Sequence, residues 1–174
     1  MSNSISILVF SDSHGRGAKI EEAVSRQIKK PAAIIFLGDG LRDMTDAEVG
    51  DIPVIAVRGN CDTMNFFTAD APDEQCIVLG DKRIFLTHGH RYGVKSTLTP
   101  LISEAVKRDA DIVLYGHTHE GFEKELLPEN EYSIKLKKSL YIMNPGSIAM
   151  YPYYFGVITI DKEGRVLFSH GSLN

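Results

Sequence analysis

The stretch ISILVFSDSHG, residues 5–15, decides the fold of this chain. Its first six residues are nearly all apolar, which is typical of a strand buried in a parallel sheet. The apolar run stops at Phe10 and SDSHG follows at once, so Asp12 and His14 lie directly after a buried strand. Taken alone, such a strand end is commonly a polar turn. It becomes a candidate ligand site if other strands of the chain end in a similar way.

Four more apolar runs end in side chains that can bind a ligand. They cover residues 32–37, 53–57, 83–87 and 111–115, and they are followed by GDG, RGNCD, HGH and GHTH. Because the carboxyl ends of the strands of an open α/β sheet converge on one crevice, these side chains are expected to meet although they are distant in sequence. The candidate site residues are Asp12, His14, Asp39, Asn60, His88, His117 and His119.

The segments between these runs carry helical patterns. Apolar residues recur at helical spacing from Ile20 to Ile28, which predicts a helix that Pro31 stops. A second apolar stripe over residues 98–106 predicts the clearest helix of the chain. Residues 41–51 are polar and are expected to form a short helix or a loop. Strands alternating with helices in this way indicate an α/β fold.

The second half of the chain is richer in strand signals. Gly80-Asp81 separates two short strand patterns and predicts a tight hairpin. The last third is expected to form a β-meander that ends in a hairpin. The charged residues 120–138 are expected to form an exposed hairpin, and His170 is expected to be exposed.

Composition narrows the class of protein. The chain has 174 residues, of which 43% are hydrophobic and 24% charged, so a single domain over residues 1–174 is expected. A formal net charge of -4 argues against nucleic acid or an anionic membrane as a stable partner. The start lacks the pattern of a secretory signal, and Cys61 and Cys76 form no disulfide framework. A cytoplasmic location is the expectation that follows.

The spacing of the candidate ligands suits metal ions. Asp12/His14 and His117/His119 are both i, i+2 pairs, and on an extended chain the members of such a pair point to one side with Cα atoms about 6–7 Å apart. Residues at that separation can each reach a different ion of a two-metal site, whose ions lie roughly 3.5–4 Å apart. Carboxylate, imidazole and amide donors suit manganese, iron or zinc rather than a thiolate-bound structural zinc.

The set of motifs resembles the calcineurin-like metallophosphoesterases, in particular their small, uncapped bacterial and archaeal phosphodiesterase branch. The residues that carry the resemblance are Asp12-x-His14, Gly38-Asp39, Gly59-Asn60-x-Asp62, His88-Gly89-His90, Gly116-His117-x-His119 and, further on, Asn144-Pro145-Gly146-Ser147. Each motif is weak alone, but together and in this order they are specific. The resemblance implies a four-layer α/β/β/α sandwich, in which two mixed β-sheets are flanked by helices.

The resemblance also assigns roles to individual residues. One ion would be held by Asp12, His14 and His119, and the other by Asn60, His88 and His117. Asp39 would bridge the two ions, and His90 would lie beside the ligands or contact the substrate. Manganese is the expected metal, with nickel, iron, zinc and magnesium as alternatives. The residues expected to act in catalysis are Asn60, Asp62, His88 and His90.

The reaction implied is hydrolysis of a small phosphate ester by in-line attack of a metal-bridging hydroxide. Phosphoprotein phosphatases of this family carry a histidine after the asparagine, whereas this chain has Cys61 there. A thiol is a weaker general acid than an imidazolium, so phosphodiesters or esters with good leaving groups are expected over phosphoserine. A phosphomonoesterase remains an alternative, as does a non-catalytic interaction scaffold like the retromer scaffold subunit. A homodimer or homotetramer is also considered.

Overall fold

The computed structural model describes residues 4–62 and 70–174, and in these ranges ten strands form two five-stranded sheets. The strands are β1 (Ile5–Phe10), β2 (Ala33–Phe36), β3 (Val54–Ala56), β4 (Glu74–Leu79), β5 (Lys82–Thr87), β6 (Ile112–Leu114), β7 (Gly121–Leu126), β8 (Leu140–Pro145), β9 (Tyr154–Ile160) and β10 (Val166–Ser172). The helices are α1 (Gly17–Ser25), α2 (Leu41–Asp46) and α3 (Thr99–Lys107), with a 3-10 turn at His90–Tyr92. Within these described ranges, no helix is long and apolar enough to cross a membrane.

Each sheet is mixed and contains three adjacent parallel strands. The first has the order β10-β9-β1-β2-β3, and its strands β1, β2 and β3 are parallel. The second has the order β4-β5-β6-β8-β7, and its strands β5, β6 and β8 are parallel. The parallel strands carry the apolar runs that the sequence shows, because parallel strands are covered on both faces.

Strand β1 shows how the layers pack. Ile7 and Val9 are fully buried in the apolar layer between the two sheets, whereas Leu8 and Phe10 pack in a separate cluster with residues of α1 and α2. Helix α3 covers the outer face of the second sheet. Each such side chain contributes about 1.5–3 kcal/mol by leaving water. The order of layers is helix, sheet, sheet, helix, which confirms the predicted α/β/β/α sandwich.

Several local predictions are confirmed. The helix over residues 98–106 is α3, with Pro100 in its first turn. Strands β4 and β5 form the predicted hairpin, and its two turn residues, Gly80 and Asp81, both have positive φ, as a type I′ turn requires. Strands β9 and β10 form the predicted terminal hairpin.

Other local predictions are wrong. Helix α1 ends at Ser25, and Ile28 is fully exposed rather than part of an apolar face. The reason is local, since the side chains of Ser25 and Gln27 donate to carbonyls of the last turn. The last third is not a meander, because β8 lies in the second sheet between β6 and β7, whereas β9 and β10 lie in the first. His170 is partly buried, with its Nε2 atom 2.8 Å from the carbonyl oxygen of Asn144.

Residues 120–138 form strand β7 and the connection to β8. The strand is mostly exposed, as the sequence predicts, but Leu126 and Leu136 are buried against the core of α3. The sequence predicts a loop over residues 63–73 that would set substrate specificity, and residues 63–69 of this segment lie outside the described residues.

Substituting Gly38 is predicted to cost far more stability than substituting Gly50. Both glycines have positive φ, but a Cβ at Gly38 would lie 2.4 Å from the backbone nitrogen of Gly59, whereas a Cβ at Gly50 would meet nothing within 4 Å. Gly50→Ala is therefore expected to lower the free energy of unfolding by about 1–2 kcal/mol through backbone strain alone. Gly38→Ala adds an overlap with backbone, for a total of about 3 kcal/mol or more. Urea denaturation measures both losses, and equal losses would contradict the close approach of β2 and β3.

Candidate metal centre

The seven predicted ligands converge where the two sheets meet. Four of them follow the mutually parallel strands β1, β2 and β3 of the first sheet, and three follow the mutually parallel strands β5 and β6 of the second. Their donor atoms form two adjacent groups, and within each group all the atoms lie within 4.8 Å of one another. One group is Asp12, His14 and His119, and the other is Asp39, His88 and His117. Asn60 adjoins the second group through its Oδ1 atom, 3.1 Å from the Nε2 atom of His88.

Asp12 is the centre of the first group. Its side chain is fully buried, and its Oδ1 atom lies 3.2 Å from the Nε2 atom of His119 and 3.9 Å from that of His14. The Oδ2 atom accepts hydrogen bonds from the Ser11 hydroxyl and from the backbone N–H of His117. The Oδ1 atom is buried and has no hydrogen-bond partner. A buried carboxylate oxygen without a partner is unfavourable unless a cation or a proton is close to it.

His88 organises the second group. Its Nδ1 atom lies 2.7 Å from the carbonyl oxygen of Leu37, so this nitrogen carries the proton and donates it. In the neutral ring the Nε2 atom then presents a lone pair, and it lies 3.3 Å from the Oδ2 atom of Asp39. A histidine held in this tautomer by a backbone carbonyl is a typical metal ligand.

The donor set fits divalent metal ions. Carboxylate oxygens, imidazole nitrogens and the Asn60 amide oxygen present lone pairs to the same small space, and lone pairs repel each other unless a cation lies between them. Oxygen and imidazole donors suit manganese, iron, zinc or nickel. The two groups abut, since the Nε2 atom of His14 is 4.0 Å from the Oδ2 atom of Asp39, and the Nε2 atom of His88 is 4.0 Å from the Oδ1 atom of Asp12.

The charges around the second group shift its pKa values. Burial favours the neutral form of Asp39, but the neighbouring His88 ring and the hydrogen bond from the backbone N–H of Cys61 outweigh it and hold the pKa of Asp39 well below its usual range. Burial lowers the pKa of His88, but the carboxylates of Asp39 and Asp12 outweigh burial, and the pKa is raised. The pKa of His117 is lowered, first by burial and then by the charges of His88 and Lys95. Asp39 is therefore ionised at neutral pH.

Most of the seven candidate ligands have an unusual backbone conformation. Five of them have positive φ, between 42° and 70°, namely Asp12, His14, Asp39, His117 and His119. The left-handed region is unfavourable for residues with a side chain, and such strain concentrates at functional sites. The expectation that the i, i+2 pairs lie on an extended chain is therefore wrong. Both members of each pair reach the cluster because the backbone turns back at the end of its strand.

Asp62, which the sequence motif places among the catalytic residues, binds backbone instead of facing the cluster. Its Oδ1 atom accepts hydrogen bonds from the N–H groups of Gly40 and Leu41, and its Oδ2 atom accepts them from Asp39 and Gly59, at distances of 2.7–2.9 Å. A carboxylate with four backbone donors holds the turns after β2 and β3 together. These hydrogen bonds fix the turns that carry Asp39 and Asn60.

Two further positioning residues were not singled out for this role in the sequence. Asp43 on α2 accepts hydrogen bonds from the Ser13 hydroxyl and the Gly15 N–H, so it holds the turn that carries His14. Asn144 is fully buried and its Nδ2 atom donates to the carbonyl oxygen of Gly116 and the hydroxyl of Thr118, so it holds the turn that carries His117 and His119. Only the motif around Asn144 gave a sequence signal.

His90 and Cys61 lie beside the ligands. The Nδ1 atom of His90 is buried without a hydrogen-bond partner, and its ring lies 5.4 Å from the ring of His88 and 6.1 Å from that of His117. The thiol of Cys61 lies within 4.8 Å of donor atoms of His14 and Asp39. Both side chains therefore border the candidate metal centre.

The family model described as "Calcineurin-like phosphoesterase superfamily domain" matches residues 5–163. The chain belongs to this superfamily. The match spans both sheets and includes all seven candidate ligands, so the resemblance seen in the motifs is confirmed.

Curated relatives and solved structures agree with this assignment. The chain is 29% identical to "Probable metallophosphoesterase YsnB" of Bacillus subtilis over 84% of this chain and 76% of YsnB. It is 35% identical to "Phosphodiesterase YfcE" of Escherichia coli, over 69% of this chain but only 60% of YfcE, less than two thirds of that protein's length. The structure of Vacuolar Protein Sorting 29 (Vps29) from Cryptosporidium parvum shares the fold, with a TM-score of 0.68, 17% identity, and coverage of 98% of this chain and 100% of that one.

Removing the charge of Asp62 is predicted to weaken metal binding although Asp62 is not a ligand. In Asp62→Asn the amide nitrogen replaces one acceptor oxygen, so two backbone N–H groups lose their partner. We expect a loss of about 2–4 kcal/mol of stability in urea denaturation. We also expect a loss of about tenfold or more in manganese affinity, measured by calorimetric titration, as for other residues that orient ligands.

Asp161→Asn is the matched control for this change. Asp161 also accepts two backbone N–H groups, from Glu163 and Arg165, but it follows β9 at the end where Ile160 pairs with Ile5, the opposite end of β1 from Asp12. This variant should leave manganese affinity unchanged. Manganese affinity that is unchanged in Asp62→Asn as well would rule out the positioning role.

Proposed function

We propose that this protein is a phosphodiesterase that depends on two divalent metal ions. One ion is held by Asp12, His14 and His119, and the other by Asn60, His88 and His117, with Asp39 between them. The observation that carries the proposal is the buried, unpartnered Oδ1 atom of Asp12 beside two histidines, next to a second three-residue group of the same chemistry. Membership of the calcineurin-like phosphoesterase superfamily supports it. Manganese is the expected ion in a set of oxygen and imidazole donors.

Bound ions of this kind supply an activated water as the nucleophile and offset the charge of the phosphate. The protein residues bind and orient the substrate. The Oδ1 atom of Asn60 lies 3.1 Å from the Nε2 atom of His88, and its Nδ2 atom, which donates to the Cys61 thiol, can donate instead to a phosphate oxygen bound at the centre. The ring of His90 lies 5.4 Å from that of His88, so it borders a phosphate bound at the centre.

The residue at position 61 favours diesters over unactivated monoesters. Burial raises the pKa of the Cys61 thiol to about 11, and the neighbouring carboxylates of Asp39 and Asp62 contribute to the shift. A thiol with so high a pKa gives up its proton less readily than an imidazolium, so it assists a poor leaving group weakly. The name of the relative YfcE, a phosphodiesterase, supports the same preference.

The first test is metal-dependent hydrolysis. Metal-free protein is supplied with Mn²⁺, Ni²⁺, Zn²⁺, Fe²⁺ or Mg²⁺ singly, and release of p-nitrophenol from bis(p-nitrophenyl) phosphate and p-nitrophenyl phosphate is measured. We expect activity with at least manganese, and higher kcat/KM for the diester. Asp39→Asn is expected to lower kcat/KM by about 10²–10³-fold or more, because it removes charge at the centre.

Asp81→Asn is the control, since Asp81 also has positive φ but lies in the β4–β5 turn. It should retain full activity. His119→Ala should be as inactive as Asp39→Asn while circular dichroism shows an intact fold. Activity that survives in both site variants would refute the assignment of ligands.

The second test concerns Cys61. Cys61→Ser is expected to keep kcat/KM for bis(p-nitrophenyl) phosphate within about threefold, because p-nitrophenolate leaves without a general acid. The pH–rate profile should keep its shape in this variant and in Cys76→Ser, which controls for loss of a thiol elsewhere. A requirement for an acidic group that disappears only in Cys61→Ser would show that the thiol acts as the acid.

A scaffold function is the second candidate, because the structure of Vps29 from Cryptosporidium parvum shares the fold. A fold does not decide function, so the two candidates are separated by the site. Metal-loaded protein that hydrolyses neither ester with any of the five ions would favour the scaffold. Hydrolysis that is lost in Asp39→Asn would exclude a purely structural role.

A further inference from the structure

Residues 72–75 join the two sheets at one pair of edges. The segment leads into β4, the edge strand of the second sheet, and it contacts β3, the edge strand of the first, and the turn that follows β3. The carbonyl oxygen of Pro72 accepts a hydrogen bond from the backbone N–H of Arg58, 2.8 Å away. The side-chain amide of Gln75 donates to the carbonyl oxygen of Ala56 on β3, at 3.0 Å. The segment therefore attaches the end of β3 to the second sheet.

Asp73, within this segment, lies between two arginines that follow strands of different sheets. Its Oδ1 atom accepts hydrogen bonds from the Nε and Nη2 atoms of Arg58, at 3.0 and 2.9 Å. Its Oδ2 atom accepts one from the Nη1 atom of Arg91, at 2.7 Å. The hydrogen bonds from Arg58 lower the pKa of Asp73, so the carboxylate is ionised at neutral pH. Each of its oxygens is thus bound to a different arginine.

The two arginines belong to turns that carry ligands of the second group. Arg58 lies two residues before Asn60 in the turn after β3, and Arg91 lies three residues after His88 in the turn after β5. These two ligands come from different sheets, yet the Oδ1 atom of Asn60 lies 3.1 Å from the Nε2 atom of His88. Asp73 is therefore a side-chain link between the turns that bring Asn60 and His88 together.

A second link, next to the first, supports the turn after β5. Glu74 accepts a hydrogen bond from the hydroxyl of Tyr92 at 2.5 Å, and it also accepts one from Arg108 at the end of α3. The ring of Tyr92 packs edge-on against that of Phe85, with centroids 6.1 Å apart. Within the described residues, no hydrogen bond or ion pair joins residues 72–75 to the turns that carry the first group of ligands. The support is therefore specific to the second group.

We propose that Asp73 is a positioning residue for the second metal ion, an inference that rests on the ligand assignment of the proposed function. Its two ion pairs set the distance between the turn of Asn60 and the turn of His88. Metal affinity depends on donors that are held in place before the ion binds, and groups that orient ligands commonly raise it by about 10–100-fold. Loss of the Asp73 charge therefore weakens the second ion and leaves the first unchanged.

The test is a manganese titration of metal-free protein, followed by calorimetry. His14→Ala removes a ligand of the first group and so identifies the binding step of the first ion. In Asp73→Asn we expect the other step to weaken by about tenfold, because the amide keeps one acceptor oxygen where the two arginines need two. Affinity for the first ion should be the same as in the wild-type protein.

Two further measurements separate positioning from a general loss of structure. Asp73→Glu keeps a carboxylate that can reach both arginines, and it should restore most of the affinity for the second ion. Hydrolysis of bis(p-nitrophenyl) phosphate by Asp73→Asn should return to within about threefold of the wild-type rate when manganese is raised to saturation, because the ligands themselves are intact.

Glu22→Gln is the matched control. Glu22 also pairs with two cations, Lys19 and Arg26, but all three residues lie on α1 or directly after it. This variant should leave both binding steps unchanged. Equal weakening of both ions in Asp73→Asn, no weakening of either, or activity that excess manganese does not restore would overturn the positioning role.

A measurement without metal separates this inference from the proposed function. Amide chemical shifts of metal-free Asp73→Asn are compared with those of the wild-type protein by NMR. We expect changes at residues 59–62 and 88–92 and none at residues 12–15. The N–H of Cys61 is the most informative, because it donates to Asp39 in the second group. Unchanged shifts at residues 59–62 would refute the inference. If the wild-type protein binds fewer than two ions, the two-metal proposal fails, and the amide shifts still decide whether Asp73 holds the turns.

Discussion

The structure depends on two carboxylates that are buried beside each other at the junction of the sheets. The exposed fractions of Asp12 and Asp39 are 0% and 2%. Removing an ionised carboxylate from water costs several kcal/mol unless opposite charge and hydrogen bonds offset it. His88 lies close to both, at 3.3 Å from Asp39 and 4.0 Å from Asp12, and its other nitrogen is committed to a backbone carbonyl. The site around Asp12 and Asp39 is therefore suited to a positively charged group.

The fold brings these groups together through its layers. Burial on both faces fixes the register of β1 and β2, so their carboxyl ends stop at the same level. The second sheet does the same with β5 and β6, and the backbone N–H of His117 donates to Asp12 across the junction. Carboxylates and amides such as Asp43, Asp62 and Asn144 then hold the turns in their strained conformation. Core packing thus determines where the turns begin, and the hydrogen bonds of these polar side chains determine the orientation of the candidate ligands.

The sequence reveals the strand ends better than the turns. Apolar runs show where a strand stops, so the ligand turns at Asp12 and Asp39 could be placed from local pattern alone. The left-handed backbone of these residues could not be predicted, because it is stabilised by hydrogen bonds between residues distant in sequence. One example is the bond from the Asp39 N–H to Asp62, which lies 23 residues further along the chain. The sequence also gives the wrong end for α1, for a different reason. The side chains of Ser25 and Gln27 donate hydrogen bonds to carbonyls of the last turn, and the helix ends several residues before Pro31.

The fold alone does not decide whether this chain is a hydrolase or a scaffold, since a protein named for vacuolar protein sorting, Vps29, shares the fold. The donor atoms of the candidate metal centre help to choose between these two functions. A protein surface that only binds partners gains nothing from a buried Asp12 oxygen that lacks a hydrogen-bond partner, because replacing both carboxylates with apolar groups of similar size would be neutral or stabilising. Such an arrangement persists where it serves a cation. The strained turns point the same way, because the left-handed backbone of His117 and His119 costs stability that a passive surface does not require.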